Sequence, residues 1–115
     1  MKILIVDDND TMRRIIKLVL DSRENQFAEC DNGRSAVSVY AEFRPDMVLM
    51  DLKMPEMNGF DATKDICTRF PDAKVVIVTD YDDTALLNAS INAGAQGYVL
   101  KEKLLDVHQF MDKWK

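Results

Sequence analysis

Histidine and cysteine are scarce in this chain, with one His and two Cys among 115 residues. Cys30 and Cys67 show no CxxC or metal-type spacing, so the sequence offers neither a zinc site nor a disulfide framework. Reduced, mostly structural thiols and a cytoplasmic location are the expectation. Four glycines and three prolines are isolated punctuation, too few for a flexible linker or a low-complexity tract. No internal repeat is present. No apolar run exceeds about five residues, far short of a membrane span. Met1-Lys2 leads straight into a strand-like run, without a secretory apolar region or a small-residue cleavage site. A basic excess is also missing. Fifteen Lys+Arg against twenty Asp+Glu give a net charge of −5, a poor balance for direct contact with nucleic-acid phosphates. With 47% hydrophobic and 30% charged residues, the composition excludes disorder and leaves a single globular domain over residues 1–115.

Strand-like and helix-like patterns alternate along it. Lys2-Ile3-Leu4-Ile5-Val6 is a short continuous apolar run, the mark of a parallel strand buried on both faces. Asp10 or Thr11 is placed to cap a helix in which Met12, Ile15, Ile16, Val19 and Leu20 form one apolar face. Phe27 to Cys30 reads as a weaker strand near an edge. Asn32-Gly33 reads as a turn before a helical stripe of Ala36, Val39, Tyr40 and Phe43, stopped by Pro45. Met47 to Met50 is a third strand, and a helix follows Asn58-Gly59 as far as Phe70. Val75 to Val78 is the strongest strand. Asp82 or Asp83 starts a helix with Leu86, Leu87 and Ile91 on its apolar side and Gly94 at its end. Gly97 to Leu100 is strand five, and one helix is expected from Leu104 to about Trp114. Five βα units in a row predict a flavodoxin-like α/β fold, a five-stranded parallel sheet in the order 2-1-3-4-5 with helices on both faces.

In such sheets ligands bind past the carboxyl ends of the strands. Strand one ends in Asp7-Asp8, strand three in Asp51, strand four in Thr79 and strand five in Lys101. The predicted order brings these together on one rim. Three carboxylates at close quarters repel, by roughly 4 kcal/mol per pair at 4 Å and an effective dielectric near 20. One lysine cannot offset that, so either a carboxyl holds a proton or a cation sits among them. An all-oxygen acidic site suits Mg²⁺. A cation, a hydroxyl and an ammonium around an acid fit a phosphoryl group, whose transfer is mostly positioning and charge neutralisation. Asp51, alone on the central strand, is the candidate nucleophile for an aspartyl-phosphate, with Asp7 and Asp8 as metal ligands.

Ile5-Val6-Asp7-Asp8, Met50-Asp51-Leu52-Lys53-Met54-Pro55, Asn58-Gly59, Val78-Thr79 and Gly97-Tyr98-Val99-Leu100-Lys101 resemble the receiver domain of bacterial two-component response regulators. The resemblance covers essentially the whole chain. It implies phosphoryl transfer onto Asp51 from a phosphohistidine on a sensor kinase or phosphotransfer protein. It also implies direct Mg²⁺ ligation by Asp8, Asp51 and the backbone carbonyl of Lys53, with Asp7 acting largely through water. Thr79 and Tyr98 match the family's switch pair. A downstream effector or DNA-binding domain would then read the face formed by the fourth and fifth strand–helix units, and homodimerisation on phosphorylation is compatible with it. The expected activity is a switch's self-phosphorylation and slow self-dephosphorylation rather than turnover of a free substrate.

Two positions depart from the family pattern. Asp80 follows the switch Thr where a small residue is common, which puts bulk and charge beside the donor's path. Glu102 follows the Lys where many receivers have Pro, so a cis peptide is not expected there. The segments around Thr79 and Lys101 look most like the branch that usually carries a C-terminal helix-turn-helix. No such effector domain is expected in these 115 residues, so the chain reads as a single-domain regulator or the receiver part of a longer one. Two other classes compete. One is an interaction module that keeps the fold and never uses the chemistry. The other is a small Mg²⁺-dependent phosphatase, for which the chain has no cap to enclose a substrate.

Overall fold

The computed structural model describes residues 1–20 and 24–114. Five parallel strands, β1 (Lys2–Val6), β2 (Gln26–Cys30), β3 (Met47–Met50), β4 (Val75–Thr79) and β5 (Gly97–Leu100), form one sheet in the order β2-β1-β3-β4-β5. Helices α1 (Asp10–Val19), α2 (Gly33–Phe43), α3 (Gly59–Arg69), α4 (Thr84–Ala93) and α5 (Val107–Lys113) connect and cover it. This is the expected flavodoxin-like arrangement.

Strand residues alternate between two cores, as a period of two requires. Ile3, Ile5, Met47, Leu49, Val76 and Val78 face α1 and α5, meeting Ile16, Leu20, Val107 and Met111. Leu4, Val6, Val48, Met50, Val75 and Ile77 face the other way, against Ala36, Tyr40, Ala62 and Ile66 of α2 and α3. Strand order in the sheet leaves β1, β3 and β4 buried on both sides, which is why residues 3–6, 47–50 and 75–78 include no polar residue, Lys2 and Thr79 standing at strand ends. Among the described residues no helix is long and apolar enough to cross a membrane. The two cysteines are free thiols, Cys30 buried and Cys67 half-buried.

Several boundaries differ from the sequence expectation. The α1 cap is Asn9, whose Oδ1 accepts from the Met12 amide at 2.9 Å; Asp10 and Thr11 lie inside the helix. Asn32-Gly33 is no separate turn, since Asn32 caps α2 and Gly33 is its first residue. The last helix is not continuous from Leu104. A 3-10 segment over Lys101–Asp106, with Lys103 off helical geometry, precedes α5. That kink buries Leu104 and Val107 together while Leu105 stays 71% exposed. The apolar face of α1 is narrower than its spacing suggested. Ile16 and Leu20, four apart, take the sheet, whereas Ile15 is 41% exposed. In α4 the fully buried residue is Ser90, its hydroxyl donating to the Leu86 carbonyl, and Ile91 is largely exposed.

Gly94 ends α4 at φ +114°, and a Cβ there would stand 2.9 Å from Cβ and Sγ of Cys67. Left-handed backbone and contact both oppose a side chain. Gly94→Ala should therefore lower stability by about 2 kcal/mol. Urea unfolding checks this: the midpoint falls while the slope is unchanged.

Candidate functional site at the carboxyl rim of the sheet

The rim is built by strand ends. Asp7 and Asp51 are the first residues past β1 and β3, and the Asp51 amide still donates to the Val6 carbonyl at 2.8 Å. The parallel register that pairs Val6 with Met50 therefore sets their acids side by side. Asp8, Asp7 and Asp51 each offer a carboxylate oxygen, and these oxygens lie within 4.8 Å of one another. Asp7 and Asp51 are buried and Asp8 is exposed. Lys101, the first residue past β5, reaches back across the rim, its Nζ 3.1 Å from Asp7 Oδ2 and 3.3 Å from Asp51 Oδ1.

Three negative charges thus face one positive charge. Burial, then the Asp7 carboxylate, push the Asp51 carboxyl up to about 6, against a partial offset by Lys101. Burial pulls the Lys101 ammonium down, but the Asp51 and Asp7 carboxylates together outweigh it and hold the group above the ordinary lysine range. The donors are hard oxygens with no His or Cys among them, and the excess charge is negative. That set fits Mg²⁺, the ion that receiver domains hold in an acidic pocket.

The loop after β3 is held by close packing. The Gly59 amide donates to the Leu52 carbonyl at 2.9 Å, and a Cβ on Gly59 would stand 2.1 Å from the Asp51 carbonyl oxygen. Asn58 caps α3 immediately before it. Lys53 sits in this loop, and its ammonium lies over the Tyr81 ring, 4.4 Å from the centroid.

Thr79, the last residue of β4, is 1% exposed. Its Oγ1 accepts from the Tyr81 amide at 3.3 Å, and the Tyr81 carbonyl accepts from the Tyr98 hydroxyl. Thr79 and Tyr98 are therefore joined through the main chain of Tyr81. Tyr98 is half-buried against the core side shared with Leu86. Asp80 is exposed at the start of the β4–α4 loop.

Asp7, Asp8, Asp51, Lys53, Thr79 and Lys101 lie at or just past the carboxyl ends of the strands on this rim, whereas Tyr98 lies inside β5, opposite Ile77 of β4. A family model for the response regulator receiver domain matches residues 3–111. The chain belongs to the response regulator receiver domain family. Receiver domains are signalling modules of two-component systems rather than enzymes with a free substrate. A transcriptional regulatory protein, DegU of Brevibacillus brevis, is 38% identical over 104 residues, covering 88% of this chain and 44% of that protein. The chemotaxis protein CheY of Thermotoga maritima is 41% identical over 101 residues, covering 87% of this chain and 84% of that one. Among solved structures, a LuxR-family two-component response regulator from Aurantimonas superposes with a TM-score of 0.90 at 29% identity, covering 97% of this chain and 82% of that chain. The receiver chain spans less than half the length of the DegU relative and most of the CheY relative.

Sequence reasoning missed three contributors. Asn9 donates its amide to Asp7 Oδ1 at 2.9 Å. Tyr81 supplies both main-chain groups between Thr79 and Tyr98. Arg13 donates from Nη1 to the Asp7 carbonyl at 2.6 Å. Only the position of Arg13, two turns after the acids in sequence, could have raised it, and a polar helix face is the ordinary reading of Arg13-Arg14.

The raised Asp51 value makes a sign-definite prediction. A carboxyl that is harder to ionise folded than unfolded costs stability once ionised, so this contribution falls as pH rises from about 4 to about 6 and is flat above. Asp51→Asn removes the charge and keeps the shape. In metal-free buffer its melting temperature should match the parent near pH 4 and equal or exceed it at pH 7. A lower value than the parent at pH 7 contradicts the repulsion account.

Proposed function

We propose that this chain is a phosphorylation-driven switch in which Asp51 accepts a phosphoryl group from a phosphohistidine on a sensor kinase or phosphotransfer protein. The observation that carries this reading is the buried Asp51, packed beside Asp7 and Asp8 and shared with Lys101 at the rim. At neutral pH Asp51, with its carboxyl near 6, is mostly ionised and free to attack phosphorus. Its Oδ–P bond forms as the P–N bond to the donor imidazole breaks, and the imidazole leaves with the electron pair. Lys101 turns its ammonium from Asp51 to a phosphoryl oxygen, and the Thr79 hydroxyl donates to another. Asp8 and Asp51 would hold Mg²⁺ directly with the Lys53 carbonyl, and Asp7 through water. When bound, the cation neutralises charge on the phosphoryl oxygens.

The switch follows from the Tyr81 link. A phosphoryl group on Asp51 adds about two negative charges near Thr79. The Thr79 hydroxyl, whose oxygen accepts from the Tyr81 amide, has its proton left to donate in a charge-assisted hydrogen bond, and turning toward the phosphoryl group loosens the long Tyr81 contact. That frees the β4–α4 loop, whose Tyr81 carbonyl also positions Tyr98. The β4-α4-β5-α5 side is then the output face toward an effector or DNA-binding domain, as the transcriptional regulators among the relatives suggest. A coupling of about 1–3 kcal/mol is enough to change partner affinity five- to hundredfold.

Mass spectrometry after incubation with acetyl phosphate and Mg²⁺ tests the chemistry. One phosphoryl group gained by the parent and none by Asp51→Asn is expected. No gain at all would leave a constitutive interaction module, and continuous consumption of excess donor would indicate a phosphatase.

Thr79→Ala tests the switch. It should still take the phosphoryl group on Asp51 but lose the far-reaching response. Amide shifts over residues 80–110 on phosphorylation are the readout. If the variant shifts like the parent, Thr79 is not the relay.

A further inference from the structure

Asp8 is the exposed member of the acid trio, so its stance depends on the main chain that carries it. That main chain is bracketed. After Asp8, the Asn9 amide is tied to Asp7 Oδ1. Before it, the Asp7 carbonyl lies beyond the last β1 residue, past the carbonyl of Val6 that closes the ladder onto Asp51. A carbonyl just past a ladder needs a partner from elsewhere. Arg13 Nη1 supplies it at 2.6 Å, among the shorter hydrogen bonds of the structure.

The rest of the guanidinium is also engaged. Nη2 lies 3.2 Å from Asp10 Oδ1 and Nε 3.0 Å from Glu29 Oε1 of the edge strand β2. Lys17 holds the other Glu29 oxygen at 2.9 Å. The Arg13 side chain is only 14% exposed, so this is not a pair of mobile surface charges. Taken alone, the pair with Asp10, itself 73% exposed, would contribute little. The contact with a main-chain acceptor is of another kind. Three acceptors in different directions require a planar fork, which an ammonium cannot replace.

We infer that Arg13 is a positioning residue for the acidic pocket: anchored on Glu29, it fixes the Asp7–Asp8 peptide and so aims the Asp8 carboxylate toward Asp7 and Asp51. This rests on the proposed reading of the rim as a Mg²⁺-dependent phosphoryl site. Arg13 touches neither the cation nor the phosphoryl group. It acts as partners of metal ligands do, by holding a ligand in the orientation that binding requires.

Calorimetric titration with Mg²⁺ alone, without a phosphoryl donor, is the test. Arg13→Gln should bind Mg²⁺ about tenfold more weakly than the parent. Arg13→Lys, which keeps one donor for the carbonyl, should recover part of the loss. Saturating Mg²⁺ should restore phosphorylation by acetyl phosphate in both. If Arg13→Gln does not fold, Glu29→Gln replaces the charged anchor by a neutral acceptor and should also weaken Mg²⁺ binding, by less than the loss expected of Arg13→Gln. A folded Arg13→Gln, or failing that a folded Glu29→Gln, with parental Mg²⁺ affinity overturns the inference, whatever its melting temperature. A parent that neither binds Mg²⁺ nor takes a phosphoryl group sinks the reading of the rim, and this inference with it. A parent that does both while the variant matches its affinity sinks the role of Arg13 alone.

Discussion

Three carboxylates share one ammonium at the carboxyl rim of the sheet, and much of the architecture around them serves to hold that imbalance in place. Left free, Asp7, Asp8 and Asp51 would separate. They cannot, because Asp7 and Asp51 are main-chain neighbours across β1 and β3, with the Asp51 amide bonded to the Val6 carbonyl. Lys101 reaches both buried acids only because β5 ends at the same level as β4, with Thr79 paired to Leu100. The residual negative charge is what a divalent cation would offset, and the cation together with Lys101 would then offer positive charge to a phosphoryl group. The unfavourable electrostatics of the free site and its capacity to bind are thus the same property. A rim with its charges balanced would be more stable and would bind neither.

The legible part of this site was the part written in strand ends. A short apolar run followed at once by a polar residue marks both a buried strand and the side chain at its rim. Asp7, Asp51, Thr79 and Lys101 all carry that mark, and the strand order then collects them. Edges and caps were less legible. Asn9, Asp10 and Thr11 are all competent helix caps, and which one is used depends on where the chain leaves the Asp7 carboxylate. The kink at Lys103 reflects tertiary demand, since Leu104 and Val107 must both reach the core below α5. Local periodicity carries no sign of that requirement. Arg13 was invisible for the same reason, its partners being a carbonyl just past β1 and a carboxylate on β2.

Asp51 and Lys101 are coupled across the rim, Nζ lying 3.3 Å from Oδ1. The pKa of each is raised, yet the consequences differ. For Asp51 burial and a like charge make ionisation costly, so the folded state gives up some stability to keep the group charged at neutral pH. For Lys101 the two carboxylates stabilise the charged form against burial, so its contribution favours folding. The pair is a partial compensation in which neither group is at rest. A ligand that draws Lys101 toward a phosphoryl oxygen replaces one anion by another and need not strand the ammonium.

The proposed switch would need an element that can yield, and α4 is the loosely seated one. Leu86 and Leu87 are only half-buried, Ile91 is 55% exposed, and the one buried residue of the helix, Ser90, spends its hydroxyl on the Leu86 carbonyl within the helix itself. Its neighbour α3, by contrast, buries Ala62, Thr63 and Ile66 completely. Regions with few buried apolar contacts open at the low end of a protein's stability range. The N-terminal end of α4 is continuous with the loop in which Tyr81 links Thr79 to Tyr98. Its C-terminal end is closed by Gly94 against Cys67 of α3. The weakly seated helix is thus attached to the Thr79–Tyr81–Tyr98 link at one end and to the rigid core at the other. A single hydrogen bond gained at Thr79 contributes about 1.5–3 kcal/mol when one partner is charged. That is small against the whole fold but comparable to what seats half-buried leucines, so in the proposed switch a change confined to the rim would be large enough to move this helix and too small to disturb the sheet.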